Sequence, residues 1–405
     1  MEMYRTMGIK NELRNIAVKT PYFIHRAATE AEIARITRHL MKEDEVVESE
    51  KSEAYKKQCV AAYMKRFPSV TKELNSRITR FVGNNCRFDN MDSREKRKMI
   101  TDMMFCHFAY GTQIDEYIFM DFWGTLKNSD ERREVVSDTE QHIVRLCAND
   151  LTHAELSDKA SAYLKLKKYY KRDILIVDKN TSFEEFKEFA ARNQKYVVKK
   201  VNMSRGKGVE LDHAGNDLKR TFENYLKFGK VLLEEVIEQT DDVAIFNTDS
   251  VNTARISTFL TKKGPVAPWG FFRTGRKGSF IDNCAAGGVF ASIDTKAGVL
   301  SSNGCDESGN RYDKHPDSQI QLKGFKLPDW DQAIALCKEA ALVTPDIKYI
   351  SWDLAHSKKY GWVIVEVNTC GQFLQQVGPL KGIKSELREI LNNMDLVVPY
   401  RFIRN

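Results

Sequence analysis

The chain has 405 residues, of which 42% are hydrophobic and 29% are charged, and its formal net charge is +7 at pH 7. This length allows two or three domains with buried cores. No apolar run reaches the roughly 18 residues that a membrane span needs, and no basic stripe interleaved with aromatic residues indicates binding to nucleic acid.

The cysteines and the first residues indicate a cytoplasmic protein. Eight cysteines are scattered along the chain without a CxxC pair. This spacing argues against a zinc site and is typical of reduced thiols. Residues 1–5 contain no apolar segment of the kind found in signal peptides. We therefore expect a cytoplasmic location.

Residues 1–150 are predicted to be mainly helical. Thr29 is a candidate N-cap of a helix that ends near Lys42, and Asp92 with Ser93 begins another helix. Apolar side chains recur at helical spacing in the second helix and predict a buried face. They are Met99, Ile100, Met103, Met104 and Phe105. No chemistry is assigned to the first hundred residues.

From about residue 151 strands alternate with helices, which predicts an α+β architecture. The predicted elements are a helix over 156–170, a strand over 174–177, a helix over 183–193, strands over 196–200 and 231–237, and a helix over 330–342. We expect a small lobe over 151–240 and a C-terminal lobe over 241–405 after the helical region.

The strand at 196–200 ends in Lys199 and Lys200, and a basic loop with two glycines follows it. Glycines let backbone N–H groups approach phosphate oxygens, and a lysine on a strand adds a fixed positive charge. The GxxxxGK[ST] and GxGxxG motifs are both absent. Alone, such a loop is typical of an ordinary hairpin turn.

Oxygen-bearing side chains lie on two apolar strands near the C-terminus. Glu366 and Asn368 share one face of their strand because side chains alternate with a period of two. Asp353 lies on the neighbouring strand of a hairpin that turns at 357–361. Three oxygen ligands fit a hard cation such as Mg²⁺, whereas a solvated polar face is the alternative. Together with the basic loop, the set indicates a nucleotide held between a loop and metal ions.

These features in this order resemble the ATP-grasp superfamily, and most closely the sugar-transfer-associated ATP-grasp proteins, which are related to alpha-L-glutamate ligases. The segments that carry the closer resemblance are 250–255, 282–283 with 287–288, 315–317 and 324–330. The resemblance covers about residues 105–390. It implies an ATP-grasp fold, in which two α+β lobes clasp ATP, after a mainly helical N-terminal region.

The resemblance implies which residues bind ATP. Lys159 and Lys199 match the two lysines that contact phosphates, and Lys200 stays open as an alternative to Lys199. Glu234 matches the residue that accepts the adenine amino group, and either Asp241 or Asp242 meets the ribose. The remaining implied contacts are the phosphate-loop residues Ser204, Gly206, Lys207 and Gly208 and the adenine-edge residues Glu235, Val236 and Ile237.

The resemblance also implies metal ligands, and two arginines are candidates for catalysis. Asp353, Glu366 and Asn368 match ligands of Mg²⁺, of which two ions are expected. Arg255 is the candidate for stabilising the transferring phosphoryl group, since its planar fork can hold two oxygens. Arg273 is the candidate for binding the substrate carboxylate. A structural salt bridge is the alternative for either arginine.

The implied function is an ATP- and Mg²⁺-dependent carboxylate–amine ligase that forms an acylphosphate and releases ADP. Its substrates would be a small-molecule carboxylate and an amine, including sugar-linked ones, in bacterial surface polysaccharide or related conjugate biosynthesis. An ATP-grasp kinase that phosphorylates a hydroxyl or a histidine is one alternative, with His315 as a weak candidate. A non-catalytic nucleotide-binding module is the other. The exact substrates and the oligomeric state stay open.

Overall fold

The computed structural model describes residues 52–149, 154–201, 208–282, 284, 287–369 and 371–396. The helix predicted to begin at Thr29 lies outside these residues. Within them, the chain divides into two compact units. The first unit contains residues 52–146 and 380–389, and the second contains residues 147–379 and 390–396.

The first unit is helical, as predicted for this part of the chain. Its elements, in chain order, are α1 (Glu53–Arg66), α2 (Pro68–Asn84), a 3₁₀ turn (Cys86–Phe88), α3 (Ser93–Tyr110), α4 (Ile114–Phe119), α5 (Ser129–Arg133) and α6 (Asp138–Ala148), the last ending two residues inside the second unit. Asp92 caps α3 through its side chain, and Gly111 ends the helix with φ +73°. Met99, Met103 and Phe105 are buried, which confirms the predicted apolar face.

The second unit contains two sheets with flanking helices. Its elements before residue 250 are α7 (Ala154–Ser157), α8 (Lys159–Tyr170), β1 (Ile174–Val177), α9 (Phe183–Arg192), β2 (Lys195–Lys200), β3 (Val209–His213), α10 (Leu218–Lys227), β4 (Val231–Glu235) and α11 (Asp241–Ala244). Its later elements are β5 (Thr253–Thr261), β6 (Gly264–Thr274), β7 (Val289–Asp294), β8 (Val299–Leu300), β9 (Gly304–Cys305), β10 (Arg311–Tyr312), α12 (Trp330–Leu342), β11 (Tyr349–Ser357), β12 (Gly361–Asn368), a 3₁₀ turn (Leu374–Gln376) and α13 (Lys384–Asn392), which begins in the first unit.

The first sheet has four antiparallel strands in the order β1-β4-β2-β3. Tyr196 and Val198 of β2 pack into a core with the aromatic side chains of α9 and α10. Because successive side chains of a strand face opposite sides, Lys199 faces away from this core, together with Leu232 and Glu234 of β4. This alternation determines which lysine reaches the site described below.

The second sheet has the order β10-β9-β7-β6-β5-β11-β12, with β8 paired to β7. Ala254, Ile256 and Trp352 belong to the core cluster that also contains the buried face of α12. The alternate residues of β5 and β11, including Arg255 and Asp353, face the other side of the sheet. We call this other side the polar face.

The two sheets and the preceding helices confirm the predicted α+β fold class. The predicted helix over 156–170 is divided, since Asp158 caps α8 by accepting a hydrogen bond of 2.8 Å from the Ser161 N–H. Among the described residues, no helix has both the length and the apolar composition needed to cross a membrane.

Candidate active site

A pocket lies where α8, β2, β4 and β12 meet. It has an apolar lining that includes Leu156, Leu232 and Val367, and it is partly open to solvent. Two lysines and two glutamates also line it, and these are Lys159, Lys199, Glu234 and Glu366. The structure therefore brings together residues that the sequence analysis assigned to ATP and Mg²⁺ and that lie as far as 207 positions apart in the chain.

The two predicted phosphate lysines occupy this pocket in ion pairs. Lys159 Nζ lies 3.1 Å from Glu366 Oε1. Lys199 Nζ lies 2.9 Å from Glu234 Oε2 and donates a hydrogen bond of 3.2 Å to the carbonyl oxygen of Val365. Lys200, the alternative to Lys199, points elsewhere, because its ammonium pairs with Glu210 at 3.3 Å and lies 4.3 Å from the centroid of the Phe228 ring.

A β-bulge brings Glu366 to the polar face. Leu354 pairs with Ile364, but the next pair along β11 and β12 is Asp353 with Glu366, which leaves Val365 as the extra residue. Directly opposed residues of an antiparallel pair share a face, so Glu366 and Asp353 lie side by side. The bulged Val365 offers its carbonyl oxygen to Lys199.

Asp353 is the centre of a charged cluster on the polar face. Arg255 binds it with both arms of its fork, through Nε to Oδ1 at 2.6 Å and through Nη2 to Oδ2 at 2.7 Å. Arg273 Nη2 lies 3.1 Å from Oδ2, and Asn368 Nδ2 donates to the same oxygen at 3.1 Å. Burial raises the pKa of Asp353, but the lowering by Arg255 and Arg273 is larger than this rise. The pKa of Asp353 is therefore about 2.

Asp282 extends the cluster beyond Arg273. Its Oδ2 lies 3.4 Å from Arg273 Nε and accepts a hydrogen bond from the Thr253 hydroxyl. Burial raises the pKa of this carboxyl, even though Arg273 and the Thr253 hydrogen bond lower it. Two carboxyl groups that share Arg273 thus have pKa values shifted in opposite directions.

The predicted Mg²⁺ ligands place oxygen atoms close together on the polar face. Asp353 and Glu366 are adjacent carboxylates, and the Asn368 side chain keeps an amide oxygen when its nitrogen donates to Asp353. Oxygen donors of this kind suit Mg²⁺. In the described part of the chain, no group of three or more His, Cys, Asp and Glu side chains could hold a metal, so the set reaches three ligands only through the amide.

Other predicted ATP residues lie outside the pocket. The Glu235 carboxylate binds Lys359 at 2.8 Å and the Tyr360 hydroxyl at 3.0 Å. Asp241 is exposed and pairs with Lys358 at 2.7 Å. Val236 and Ile237 follow β4 and are half-buried. Their roles at the adenine and the ribose stay predictions.

Most of the predicted phosphate loop lies outside the described residues, namely Ser204, Gly206 and Lys207. Gly208 is described, and it has φ +73°, a conformation that glycine adopts without strain. Its carbonyl oxygen accepts a hydrogen bond of 3.0 Å from the Lys200 N–H. Gly208 therefore helps to close the β2–β3 connection.

Arg172 is a further residue of the site, and no sequence pattern predicts it. This side chain is buried, and its Nη2 lies 2.5 Å from Glu234 Oε2. It lies in a short charged run before β1, where no spacing or motif marks it. Thr253 and Asp282 lie in segments that carried the family resemblance, but no role was attached to either.

Comparison with protein families finds a similarity in the second half of the chain. Residues 227–392 match the family model described as sugar-transfer associated ATP-grasp. The match confirms the resemblance predicted from the motifs. This ATP-grasp segment, as we call residues 227–392, contains Glu234, Arg255, Arg273 and the three predicted metal ligands. Lys159 and Lys199 precede it.

Three solved structures with low sequence identity are similar to the chain. The ATP-grasp ligase PsnB complexed with a minimal precursor is 10% identical over 61% of this chain and 64% of that chain, with a TM-score of 0.38. D-alanyl-alanine synthetase A from Vibrio cholerae is 12% identical over 60% of this chain and 66% of that chain, with a TM-score of 0.37. D-alanine–D-alanine ligase from Bacillus anthracis is 14% identical over 63% of this chain and 74% of that chain, with a TM-score of 0.37.

The chain spans slightly less than two thirds of the length of the first two of these proteins. No curated protein matches the chain.

Proposed function

We propose that the protein is an ATP- and Mg²⁺-dependent carboxylate–amine ligase that forms an acylphosphate and releases ADP. The observation that carries the proposal is the pocket in which Lys159, Lys199, Glu234 and Glu366 meet beside Asp353. Two lysines suit a chain of phosphates, and the adjacent oxygen ligands suit the cation that accompanies them. The ATP-grasp family match supports the same chemistry.

The nucleotide lies with its phosphates at Lys159, Lys199 and the loop that contains Gly208. Its adenine lies against the segment that follows β4, and its ribose lies near Asp241 or Asp242. Mg²⁺ held by Asp353, Glu366 and Asn368 would neutralise phosphate charge and orient the γ-phosphoryl group.

The reaction has two steps. A carboxylate oxygen of the first substrate attacks the γ-phosphorus, and ADP leaves. The amine of the second substrate then attacks the acyl carbon, so that a C–N bond forms and phosphate departs with the electron pair of the broken C–O bond. Arg255 and Arg273 stabilise the charge on the phosphoryl group and hold the carboxylate, which is catalysis by positioning and electrostatics.

The substrates are a small-molecule carboxylate and a small-molecule amine, of which one is sugar-linked. The family description, sugar-transfer associated ATP-grasp, motivates this choice. A cytoplasmic enzyme of this kind would attach an amino acid or similar acid to an amino sugar during the synthesis of a surface polysaccharide or a related conjugate.

Calorimetric titration with ATP, with and without MgCl₂, tests the binding half of the proposal. Wild-type protein is expected to bind ATP more tightly with Mg²⁺, and the Glu366→Ala/Asn368→Ala variant is expected to lose that gain. Glu339→Ala is the matched control, since Glu339 is an exposed carboxylate paired with Lys168. A folded wild-type protein that binds no nucleotide contradicts the proposal.

ADP release tests the catalytic half. Release is expected to require both a carboxylate and an amine, and hydroxylamine is expected to replace the amine and give a hydroxamate from the acylphosphate. A phosphorylated product that forms without any amine would instead identify a kinase.

A further inference from the structure

The Glu234 carboxylate is held by two cations. Its Oε2 accepts from Arg172 Nη2 at 2.5 Å, from Arg172 Nε at 3.1 Å and from Lys199 Nζ at 2.9 Å. The residue is 3% exposed. Burial raises the pKa of Glu234, but Arg172 and Lys199 lower it by more than this rise. The pKa of Glu234 is therefore below its usual value. The carboxylate is therefore charged and bound by two cations of the protein itself.

Arg172 connects the two sheets of the second unit through this carboxylate. Besides its fork to Glu234 on β4, it donates through Nη1 to the carbonyl oxygen of Ile364 on β12 at 2.5 Å and to that of Tyr170 at 3.3 Å. A guanidinium has five N–H donors in one plane, and a lysine has neither the plane nor the number. The Glu234 carboxylate thus has a fixed position relative to β12.

Lys199 is the group that this arrangement orients. An ammonium has three N–H donors. Glu234 accepts one of them, and the bulged Val365 carbonyl accepts another. Within the described part of the chain no third acceptor contacts this ammonium, which leaves one donor for a ligand in the pocket that Lys199 lines with Lys159. Two cations and one anion also leave a net positive charge beside this pocket, which favours an anionic ligand.

We propose that Arg172 and Glu234 are positioning residues for Lys199, and that Glu234 acts on the phosphates through Lys199 instead of contacting the adenine. This inference rests on the proposed nucleotide-binding function and deepens it. It replaces the expected contact between the Glu234 side chain and the adenine amino group with a role that depends on the phosphate chain. Recognition of the base then belongs to the backbone after β4.

The test compares ligands with and without phosphates on the full chain. Binding of ATP and ADP with MgCl₂ is measured by calorimetry, and binding of adenosine is measured by ligand-observed NMR titration. Glu234→Gln is expected to weaken the binding of ATP and ADP at least tenfold and to change the binding of adenosine less than twofold. Equal losses for ATP and adenosine would mean that Glu234 contacts the base, which overturns the inference.

A double-mutant cycle separates positioning from a general structural role. In a Lys199→Gln background, Glu234→Gln is expected to reduce the affinity for ATP by less than a further factor of two, because the effect of Glu234 depends on Lys199. Additive losses in the cycle would overturn the inference. Lys200→Gln is the matched control for Lys199→Gln, and it is expected to keep wild-type affinity for ATP.

Arg172 is tested by a graded pair of variants. Arg172→Gln is expected to weaken ATP as Glu234→Gln does, and Arg172→Lys is expected to recover part of the loss while leaving adenosine unaffected. Thermal unfolding checks that each variant is folded, and Glu234→Gln alone suffices if Arg172→Gln does not fold. Wild-type protein that binds neither ATP nor ADP would refute the proposed function itself. If wild-type protein binds ATP normally and the affinity losses of Glu234→Gln and Lys199→Gln are additive, only the role of the Arg172–Glu234 pair is refuted.

Discussion

At the scale of single residues, Asp353 has an observed contact set and a proposed one. It belongs to the predicted metal set, and it is also the carboxylate that Arg255 and Arg273 share. Its pKa of about 2 keeps it charged at physiological pH. Replacing it would disturb the arginines as well as the proposed metal site, so Glu366 and Asn368 are the better positions for testing that site.

The different contacts of Asp353 and Glu366 should give different effects on stability when each residue is replaced. Asp353→Asn is expected to lower the free energy of unfolding by roughly 3–5 kcal/mol, because it leaves buried arginines without their carboxylate. Glu366→Gln is expected to cost less than about 1 kcal/mol, since its side chain is 39% exposed and its ion pair with Lys159 is partly solvated. Urea unfolding of the two variants checks this. Equal losses would show that the arginine pairs contribute little to stability.

His315 has a structural role in this fold. The side chain is fully buried, its Nε2 lies 3.1 Å from the Gly275 carbonyl oxygen, and its Nδ1 accepts from the N–H groups of Asp317 at 3.4 Å and Ser318 at 3.3 Å. These partners fit the neutral ring with its proton on Nε2. Burial lowers the pKa of His315, with Gly275 and Asp317 opposing the shift. A phosphate-carrying histidine would need an exposed nitrogen.

Stability should therefore depend on pH through His315. The unfolded state binds the proton first, near pH 6.5, because the pKa of His315 is lower in the folded state. The stability difference between wild type and His315→Gln is expected to be constant above pH 7 and to shrink below about pH 6.5, by at most about 1.4 kcal/mol per pH unit. Urea unfolding from pH 7.5 to pH 5 measures it. A constant difference across this range would contradict the neutral assignment.

At the scale of elements, the β11–β12 hairpin was predictable from sequence except for its bulge. The predicted turn at 357–361 is confirmed, since β11 ends at Ser357 and β12 begins at Gly361. Counting back from the turn without a bulge would place Asp353 opposite Val365 and would turn Glu366 towards the core. The bulge shifts the register by one residue, so that Asp353 pairs with Glu366. Nothing in the apolar run around Val365 indicates it.

Long-range side-chain contacts were less predictable than the strands. The alternation of β2 is a local pattern, and it explains why Lys199 and not Lys200 enters the pocket. Arg172 reaches Glu234 and the carbonyl of Ile364, which are 62 and 192 residues away. Such contacts depend on how the sheets meet, which a single sequence does not specify.

The segment that follows β12 packs closely on the polar face. The Gly371 carbonyl oxygen accepts a hydrogen bond of 2.8 Å from the Tyr349 hydroxyl. A Cβ at Gly371 would lie 2.3 Å from the Ser351 Cβ. Ser351 is fully buried, so it has little room to move. Glycine is therefore required here by the close approach of two chain segments.

Gly371→Ala is expected to lower the free energy of unfolding by about 1–3 kcal/mol, because the added methyl group overfills a packed site. Gly215→Ala is the control, since a Cβ there meets no atom within 4 Å. Urea unfolding of both variants measures the effect. A loss no larger than that of the control would mean that this segment moves away from Ser351 at little cost.

At the scale of the whole molecule, the first unit is completed by residues from the far end of the chain. The sequence pattern predicts that the helical region ends near residue 150, and in the structure residues 380–389 also belong to this unit. Lys384 Nζ lies 2.9 Å from Glu140 Oε1 within this unit, and Ser385 donates to the Glu134 carboxylate through its N–H and its hydroxyl, both at 2.9 Å. These contacts span more than 240 residues.

Lys384→Met tests whether the contacts of residues 380–389 stabilise the first unit. The side chains of Lys384 and Glu140 are 10% and 1% exposed, so the variant removes the Lys384 ammonium from a buried carboxylate. The expected loss is roughly 3–5 kcal/mol, and Glu140→Gln in the same chain is expected to restore part of it by removing the charge. Hydrogen exchange locates the effect, with faster exchange expected in the helices of residues 52–146 and unchanged exchange in β5, β6 and β11. Uniformly faster exchange in both units would mean that the chain unfolds as one cooperative body.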